Sequence, residues 1–498
     1  GILDVPEEQI QEEYTVNLGK EGNIVYIASS GYGKSVFLEN VILGLAAKNC
    51  VANLNFYTLD FGNNALITLA KLPHMADYIM LDEEEKFTKF RALMTEEIKQ
   101  RKKQLAAALA QNFVVYNEMA ETPLKAIVIC LDNYDAVKEM GYEMENYFTK
   151  LSRDGVGLGI YMAATASRMS ALRAATLNNF KNKIAGVNFD ENEVKGLVGR
   201  SKYSLPDVQG RTLVKTGENV NAMQLYTPVE LKNEVDYSRN LQAFAERMSQ
   251  EYKGEEAPHI PILPEELSYQ EFLSYGQDEN EIAMGLERES VVSTGWARQN
   301  SPILILGESG SGKTNALKVI LNQLDETATL YLFDSRSRSL YDYREKGNYM
   351  TTLEELELFA NQLNVEISQR KNQMDTMLLE GKPLQEVLKS IEPYYVVIDD
   401  IDDFIDLAGK DMPIVAGRLK RAMQCGITFI VAADINKFKG QDEFTQALKS
   451  ARNGLLLSSQ GYLAIFPIRV NEAPRKPDGV LMAEGQVKFI RIPQVVQR

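Results

Sequence analysis

Gly307-Glu308-Ser309-Gly310-Ser311-Gly312-Lys313-Thr314 decides the fold of this 498-residue chain. It is a complete G-x-x-x-x-G-K-[ST] phosphate loop, set directly after the apolar run Pro302–Leu306 (PILIL). In such a loop, successive backbone N–H groups at a helix N-terminus face anionic oxygens, and glycine lets the backbone turn tightly and approach closely. The lysine serves the β- and γ-phosphates, and the Ser or Thr hydroxyl ligates Mg²⁺. A second octet, Ala28-Ser29-Ser30-Gly31-Tyr32-Gly33-Lys34-Ser35, repeats the spacing with Ala in place of the first Gly. The two lysines stand 279 positions apart, and other landmarks recur at nearly that offset, so the chain reads as a tandem duplication.

Moving outward from the loops, buried strands are expected at Asn23–Ala28, Phe56–Phe61, Ala126–Leu131 and Gly157–Ala164. Their counterparts are Pro302–Leu306, Leu330–Phe333, Tyr394–Ile398 and Ile427–Ala432. Helices are expected at Ser35–Ala47 and Glu83–Asn112, the latter rich in Ala, Glu, Lys, Gln and Leu and free of Gly and Pro. It contains Glu97-Ile98-Lys99-Gln100-Arg101-Lys102, answered by Glu366-Ile367-Ser368-Gln369-Arg370-Lys371. Apolar runs without strict alternation, separated by helices, imply a parallel sheet covered on both faces. The expected fold is α/β, two tandem RecA-like P-loop modules, each a mainly parallel sheet flanked by helices. The first spans 1–230 and the second 262–498, with a charged, Pro-rich linker over 231–261.

Composition narrows the function. The net charge of −15 argues against a general nucleic-acid-binding surface. No run of 18 apolar residues is present and no signal peptide is seen. The chain begins at Gly1, so it is read as a piece of a longer protein with room elsewhere for a membrane anchor. Cys50, Cys130 and Cys425 lack metal spacing, and two histidines leave little scope for a His-based zinc site in each half. The alternating charges of residues 83–103 fit a solvated helix face.

Each loop needs an Asp at the end of a buried strand to hold Mg²⁺, directly or through water. Asp132 and Asp399 stand there, after AIVICL and YYVVI. The nucleotide-contacting set is therefore Ser30, Gly31, Tyr32, Gly33, Lys34 and Ser35 in the first module. In the second it is Glu308, Ser309, Gly310, Ser311, Gly312, Lys313 and Thr314. The metal set is Ser35 with Asp132 and Thr314 with Asp399, so the cofactors expected are ATP and Mg²⁺. The position after the strand-end Asp often supplies the base that orients water; here it is Asn133 in one module and Asp400 in the other. Asn accepts no proton, and Asp is a methylene shorter than Glu, where ~1 Å of misplacement can cost ~100-fold in rate. The first site is expected to bind nucleotide with little or no hydrolysis, and the second to be slow.

Taken together, the tandem loops, the E-I-x-Q-R-K helix and the strand-end Asp residues resemble the FtsK/SpoIIIE class of hexamer-forming motor ATPases. The tandem, degenerate sites are similar to the last two of three ATPase domains in EssC/EccC-type proteins of type VII secretion. That resemblance implies a cytoplasmic position beside the bacterial membrane, anchored by a part outside this chain. It also implies assembly with other copies and recruitment of small helical-hairpin substrates through a C-terminal signal. DNA-pumping relatives usually carry Glu after the strand-three Asp and end the fourth strand in Ala-Thr-Gln. Here those places read Asn133, Asp400, Ala-Ala-Thr165 and Ala-Ala-Asp434, and no winged-helix DNA reader follows the second module. The resemblance thus favours secretion over the alternative, a DNA translocase.

Overall fold

A computed structural model describes residues 1–298, 302–325, 327–438, 443–449, 451–458, 474–483 and 485–496. The chain forms two compact units, Gly1–Ile260 and Pro261–Arg498. In the first, ten strands run in chain order: β1 (Ile2–Val5), β2 (Ile10–Glu13), β3 (Asn23–Ile27), β4 (Leu54–Asp60), β5 (Met75–Met80), β6 (Ala126–Asp132), β7 (Ile160–Ala166), β8 (Phe180–Gly186), β9 (Arg211–Thr216) and β10 (Asn219–Gln224). They form one sheet in the order β2-β1-β10-β9-β8-β3-β7-β6-β4-β5. From β8 to β5 every pairing is parallel, while β2, β1, β10, β9 and β8 pair antiparallel.

The second unit contributes β11 (Glu281–Glu287), β12 (Ser293–Ala297), β13 (Ile303–Gly307), β14 (Thr329–Phe333), β15 (Asn348–Met350), β16 (Tyr394–Ile398), β17 (Ile427–Asp434), β18 (Asn453–Leu457), β19 (Asp478–Ala483) and β20 (Gln486–Arg491). Their order, β12-β11-β20-β19-β18-β13-β17-β16-β14-β15, is that of the first unit with every strand number raised by ten. The duplication read from the motifs therefore extends to the complete sheet. Each sheet buries both faces: Val25 and Ile27 of β3 enter one core cluster, and Ile24 and Tyr26 the other. That two-sided burial is why the loop-bearing strands read as continuous apolar runs.

Two strand and helix boundaries shift by three residues or more from the sequence reading. The strand expected over Gly157–Ala164 starts at Ile160, because Val156–Leu158 makes a 3₁₀ turn closed by Gly159 at φ 76°. The helix expected over Glu83–Asn112 ends at Ala107, and Leu109 turns the chain away at φ 54°. Cys130 and Cys425 are buried and Cys50 is exposed. Among the described residues no helix is long and apolar enough to cross a membrane.

The E-I-x-Q-R-K helices, Glu84–Ala107 and Leu353–Leu379, owe their shared sequence to packing. Buried Arg101 meets Glu97 one turn back at 2.7 Å and donates to the carbonyls of Leu158 (2.7 Å) and Lys125 (2.8 Å). Arg370 repeats this with Glu366 at 2.6 Å and the Glu392 carbonyl at 2.7 Å. Lys125 and Glu392 lie just before β6 and β16, so each arginine ties its helix to the start of the strand that leads to Asp132 or Asp399.

The stretch 231–261, expected as a linker, carries the helix Glu234–Glu251, whose Leu241 and Ala245 are buried in a core cluster of the first unit. The Tyr237 hydroxyl of that helix donates to the carboxylate of Glu39, on the helix that follows the first phosphate loop. Burial pushes the Glu39 pKa up to about 7; the Tyr237 bond opposes the shift and the charge of Asp132 adds to it. A carboxyl raised above its unfolded value of about 4.3 contributes stability at low pH that is lost as pH rises through 7. Glu39→Gln should therefore melt higher than the parent chain at pH 8, by about 3 kcal/mol at most, with the gap closing toward pH 5. Parallel melting curves across that range would refute the assignment.

Candidate nucleotide-binding sites

Each phosphate loop joins a central parallel strand to a helix: β3 to Lys34–Ala46, and β13 to Lys313–Leu321. Gly31, Gly33, Gly310 and Gly312 all take φ between 77° and 107°. A Cβ at Gly31, Gly310 or Gly312 would meet nothing within 4 Å, so backbone angle, not space, requires glycine there. Gly33 and Gly312 cap the N-termini of the two helices, where unpaired N–H groups and the helix dipole favour anions.

The first loop's departure from the motif has a partner across the sheet. At Gly307, a Cβ would stand 2.9 Å from the Cβ of Leu457 on β18. The first module places Ala28 beside Gly186 of β8, where a Cβ would fall 2.7 Å from Ala28 Cβ. Glycine has moved to the neighbouring strand, so Ala28 fits without disturbing the loop.

Both lysines fold over their own loops. Lys34 Nζ donates to the carbonyls of Ala28 (3.0 Å) and Ser29 (3.1 Å), and Lys313 Nζ to those of Gly307 (3.0 Å) and Glu308 (2.9 Å). Burial lowers the Lys34 pKa, and the nearby charges of Asp132 and Asp135 oppose that shift. The Tyr32 hydroxyl donates to Asp207 at 2.5 Å, and the Tyr26 hydroxyl to the Tyr32 carbonyl at 2.6 Å, bracing the tip of the first loop.

The hydroxyl and carboxylate expected to share a metal are together in both modules. Ser35 Oγ donates to Asp132 Oδ2 at 3.3 Å, and Thr314 Oγ1 to Asp399 Oδ1 at 3.2 Å. Burial raises the pKa of both Asp132 and Asp399, and the charges of Asp60 and Asp334 raise them further. Thr165 holds the other oxygen of Asp132, and Ser335 that of Asp399 at 2.6 Å. Sequence reading missed Thr165 and Ser335, since a hydroxyl on a neighbouring strand or loop has no spacing signal. Hard oxygen donors on buried, charge-strained carboxylates suit Mg²⁺, which takes one or two carboxylates plus phosphates and water.

The residues after the strand-end Asp are placed differently. Asn133 sits at φ 63°, a region asparagine tolerates, with its amide donating to the Phe61 carbonyl at 2.9 Å. Asp400 caps the helix Ile401–Ala408, accepting from the N–H groups of Asp402 (2.9 Å) and Asp403 (3.2 Å). Asp403 and Asp406 pair with Arg336, and Asp402 approaches Lys437 at 4.0 Å.

Comparison with known proteins accords with this geometry. The sequence model of the FtsK/SpoIIIE family matches residues 1–193. The chain is 32% identical over 512 residues to the ESX secretion system protein EccC of Geobacillus thermodenitrificans, an alignment covering 99% of this chain and 34% of that protein. It thus spans about a third of the length of the curated relatives it matches. Among solved structures, EssC (ATPases 2 and 3) from Geobacillus thermodenitrificans superimposes with a TM-score of 0.89 at 32% identity, covering 100% of this chain and 96% of that one. Thermomonospora curvata EccC (ATPases 2 and 3), in complex with a signal sequence peptide, shares the fold with a TM-score of 0.56 at 20% identity, covering 100% of this chain and 92% of that one.

Proposed function

We infer function from membership: the chain belongs to the EssC/EccC type VII secretion ATPases of the FtsK/SpoIIIE family, as cytoplasmic ATPase domains. In this reading each module binds Mg-ATP, the first with little or no hydrolysis and the second with slow turnover, and both serve a membrane-anchored, self-associating secretion motor. The observation that carries it is the pair of phosphate loops, each closed by a strand-end Asp within hydrogen-bond reach of the loop hydroxyl. Backbone N–H groups of residues 30–35 and 308–314 would hold the phosphates. Ser35 with Asp132, and Thr314 with Asp399, would hold Mg²⁺, which neutralises phosphate charge when bound. Asn133 cannot accept a proton and Asp400 is occupied as a helix cap, which supports slow turnover.

Recruitment of secreted helical-hairpin proteins through a C-terminal signal is proposed for the second module, by analogy with the peptide complex of the Thermomonospora curvata protein. At 100 times Kd, Mg-ATP adds about 2.7 kcal/mol of native-state stability, a melting rise of roughly 5–10 °C for a module of this size. A labelled C-terminal peptide of a cognate substrate should bind in fluorescence anisotropy, while duplex DNA at physiological salt should not, given the net charge of −15. Tight DNA binding with no peptide response would turn the reading toward a DNA translocase.

A further inference from the structure

The strand beside each metal-site strand ends in a second aspartate. In the first module Asp60 of β4 lies in register beside Asp132 of β6. In the second, Phe333 pairs with Ile398, and Asp399 N–H donates to the Phe333 carbonyl at 3.1 Å, which sets Asp334 beside Asp399. In-register neighbours on parallel strands stand about 4.8 Å apart with side chains on the same face. Both aspartates use Oδ2 alike: Asp60 accepts from Leu66 N (3.1 Å) and the Tyr78 hydroxyl (2.7 Å), Asp334 from Leu340 N (3.2 Å) and the Tyr349 hydroxyl (2.6 Å).

They differ at Oδ1. Asp60 Oδ1 accepts from Gly62 N at 3.1 Å. The counterpart of Gly62 is Arg336, whose N–H turns instead to Asp403 Oδ2 at 2.9 Å, with its guanidinium held by Asp403 and Asp406. Asp334 is only 2% exposed, yet its Oδ1 has no hydrogen-bond partner among the described residues. A buried carboxylate oxygen without a partner costs a few kcal/mol, and such sites call for an explanation.

We propose that Asp334, through Oδ1, holds the attacking water in the second module, and that Gly62 N fills the same position on Asp60 in the first. This rests on reading the second module as a Mg-ATP site. Asp334 Oδ1 accepts a hydrogen bond from the water and aims its oxygen at the γ-phosphorus. A bond forms between that oxygen and phosphorus, and the bond to the β–γ bridging oxygen breaks. The electron pair leaves with ADP, and the water's proton ends on the released phosphate. Only the second module then turns ATP over, and Asp400 keeps its capping role.

The test uses the full chain carrying Lys34→Ala, so that only the second site reports. Single-turnover ATP hydrolysis and calorimetric Mg-ATP binding are measured side by side. Asp334→Asn should bind Mg-ATP with unaltered Kd and lose turnover by on the order of a hundredfold. Unchanged turnover in that variant, or loss in Asp400→Asn but not in Asp334→Asn, overturns the proposal, as does absence of hydrolysis in the Lys34→Ala chain that still binds Mg-ATP. Failure of that chain to bind Mg-ATP would instead remove the nucleotide-site reading beneath it. Should Asp334→Asn not fold, Asp403→Ala serves: it frees Arg336 N to occupy Asp334 Oδ1, and turnover unaffected by it counts against the proposal.

Discussion

Lys313→Ala should cut the nucleotide stoichiometry of the full chain from two to one in calorimetry. Charge-assisted hydrogen bonds contribute about 1.5–3 kcal/mol each, so a lysine shared by two phosphates accounts for roughly a hundredfold or more in affinity. The variant should fold normally, because among the described residues Lys313 Nζ bonds only to the carbonyls of Gly307, the last residue of β13, and Glu308 in the loop. Its melting temperature without nucleotide should match the parent, while the rise with Mg-ATP in the second module should vanish. Lys34→Ala should do the same to the first module. Two intact binding events in the Lys313→Ala chain would refute the assignment.

The largest effect on stability should come from Arg101→Ala. The guanidinium is buried and serves three acceptors, on Glu97, Lys125 and Leu158. Its removal strands two backbone carbonyls and half-buries an unpaired Glu97. Losing one member of a buried pair costs about 3–5 kcal/mol. At roughly 2–4 °C per kcal/mol for a domain of this size, melting of the first module should fall by about 10 °C. Arg101→Lys should recover only part, since one ammonium cannot reproduce the planar fork that reaches both carbonyls. A loss below about 1 kcal/mol would show that the shared E-I-x-Q-R-K sequence is not a packing device. Arg370→Ala should be milder, because among the described residues Arg370 has two such acceptors, Glu366 and Glu392.

The parts of this protein that sequence made legible are those fixed by local chemistry. A phosphate loop needs glycine at set positions, and a strand buried on both faces is apolar throughout, so Ile303–Gly307 and Ala126–Asp132 announce themselves. The antiparallel edge does not. Ile10–Glu13 is exposed along its length, and Asn219–Gln224 alternates weakly; each is a strand because it pairs back on the strand just before it, and the hairpins join one sheet only through the pairing of β10 with distant β1. The compensation of Ala28 by Gly186 was likewise hidden, since it spans 158 positions and appears only across a strand pairing. Asp400 shows a different limit. One residue type suits both a water-orienting base and a helix cap, and only the backbone, extended at φ −142°, assigns it to the cap.

The first and last strands of each sheet lie side by side, β1 against β10 and β11 against β20. Each sheet thus opens and closes on neighbouring strands at one margin, several strands from the one that bears the phosphate loop, while the chain of the first unit runs on through the helix Glu234–Glu251 to Ile260, which bonds to Asp77 of β5 at the opposite margin. A sheet whose first and last strands are neighbours is complete in itself, so its whole strand order can be copied as one block, as the second unit repeats the first. Gene duplication could therefore lengthen such a protein one whole phosphate-loop module at a time, leaving each copy free to diverge, as the differing surroundings of Asp60 and Asp334 illustrate.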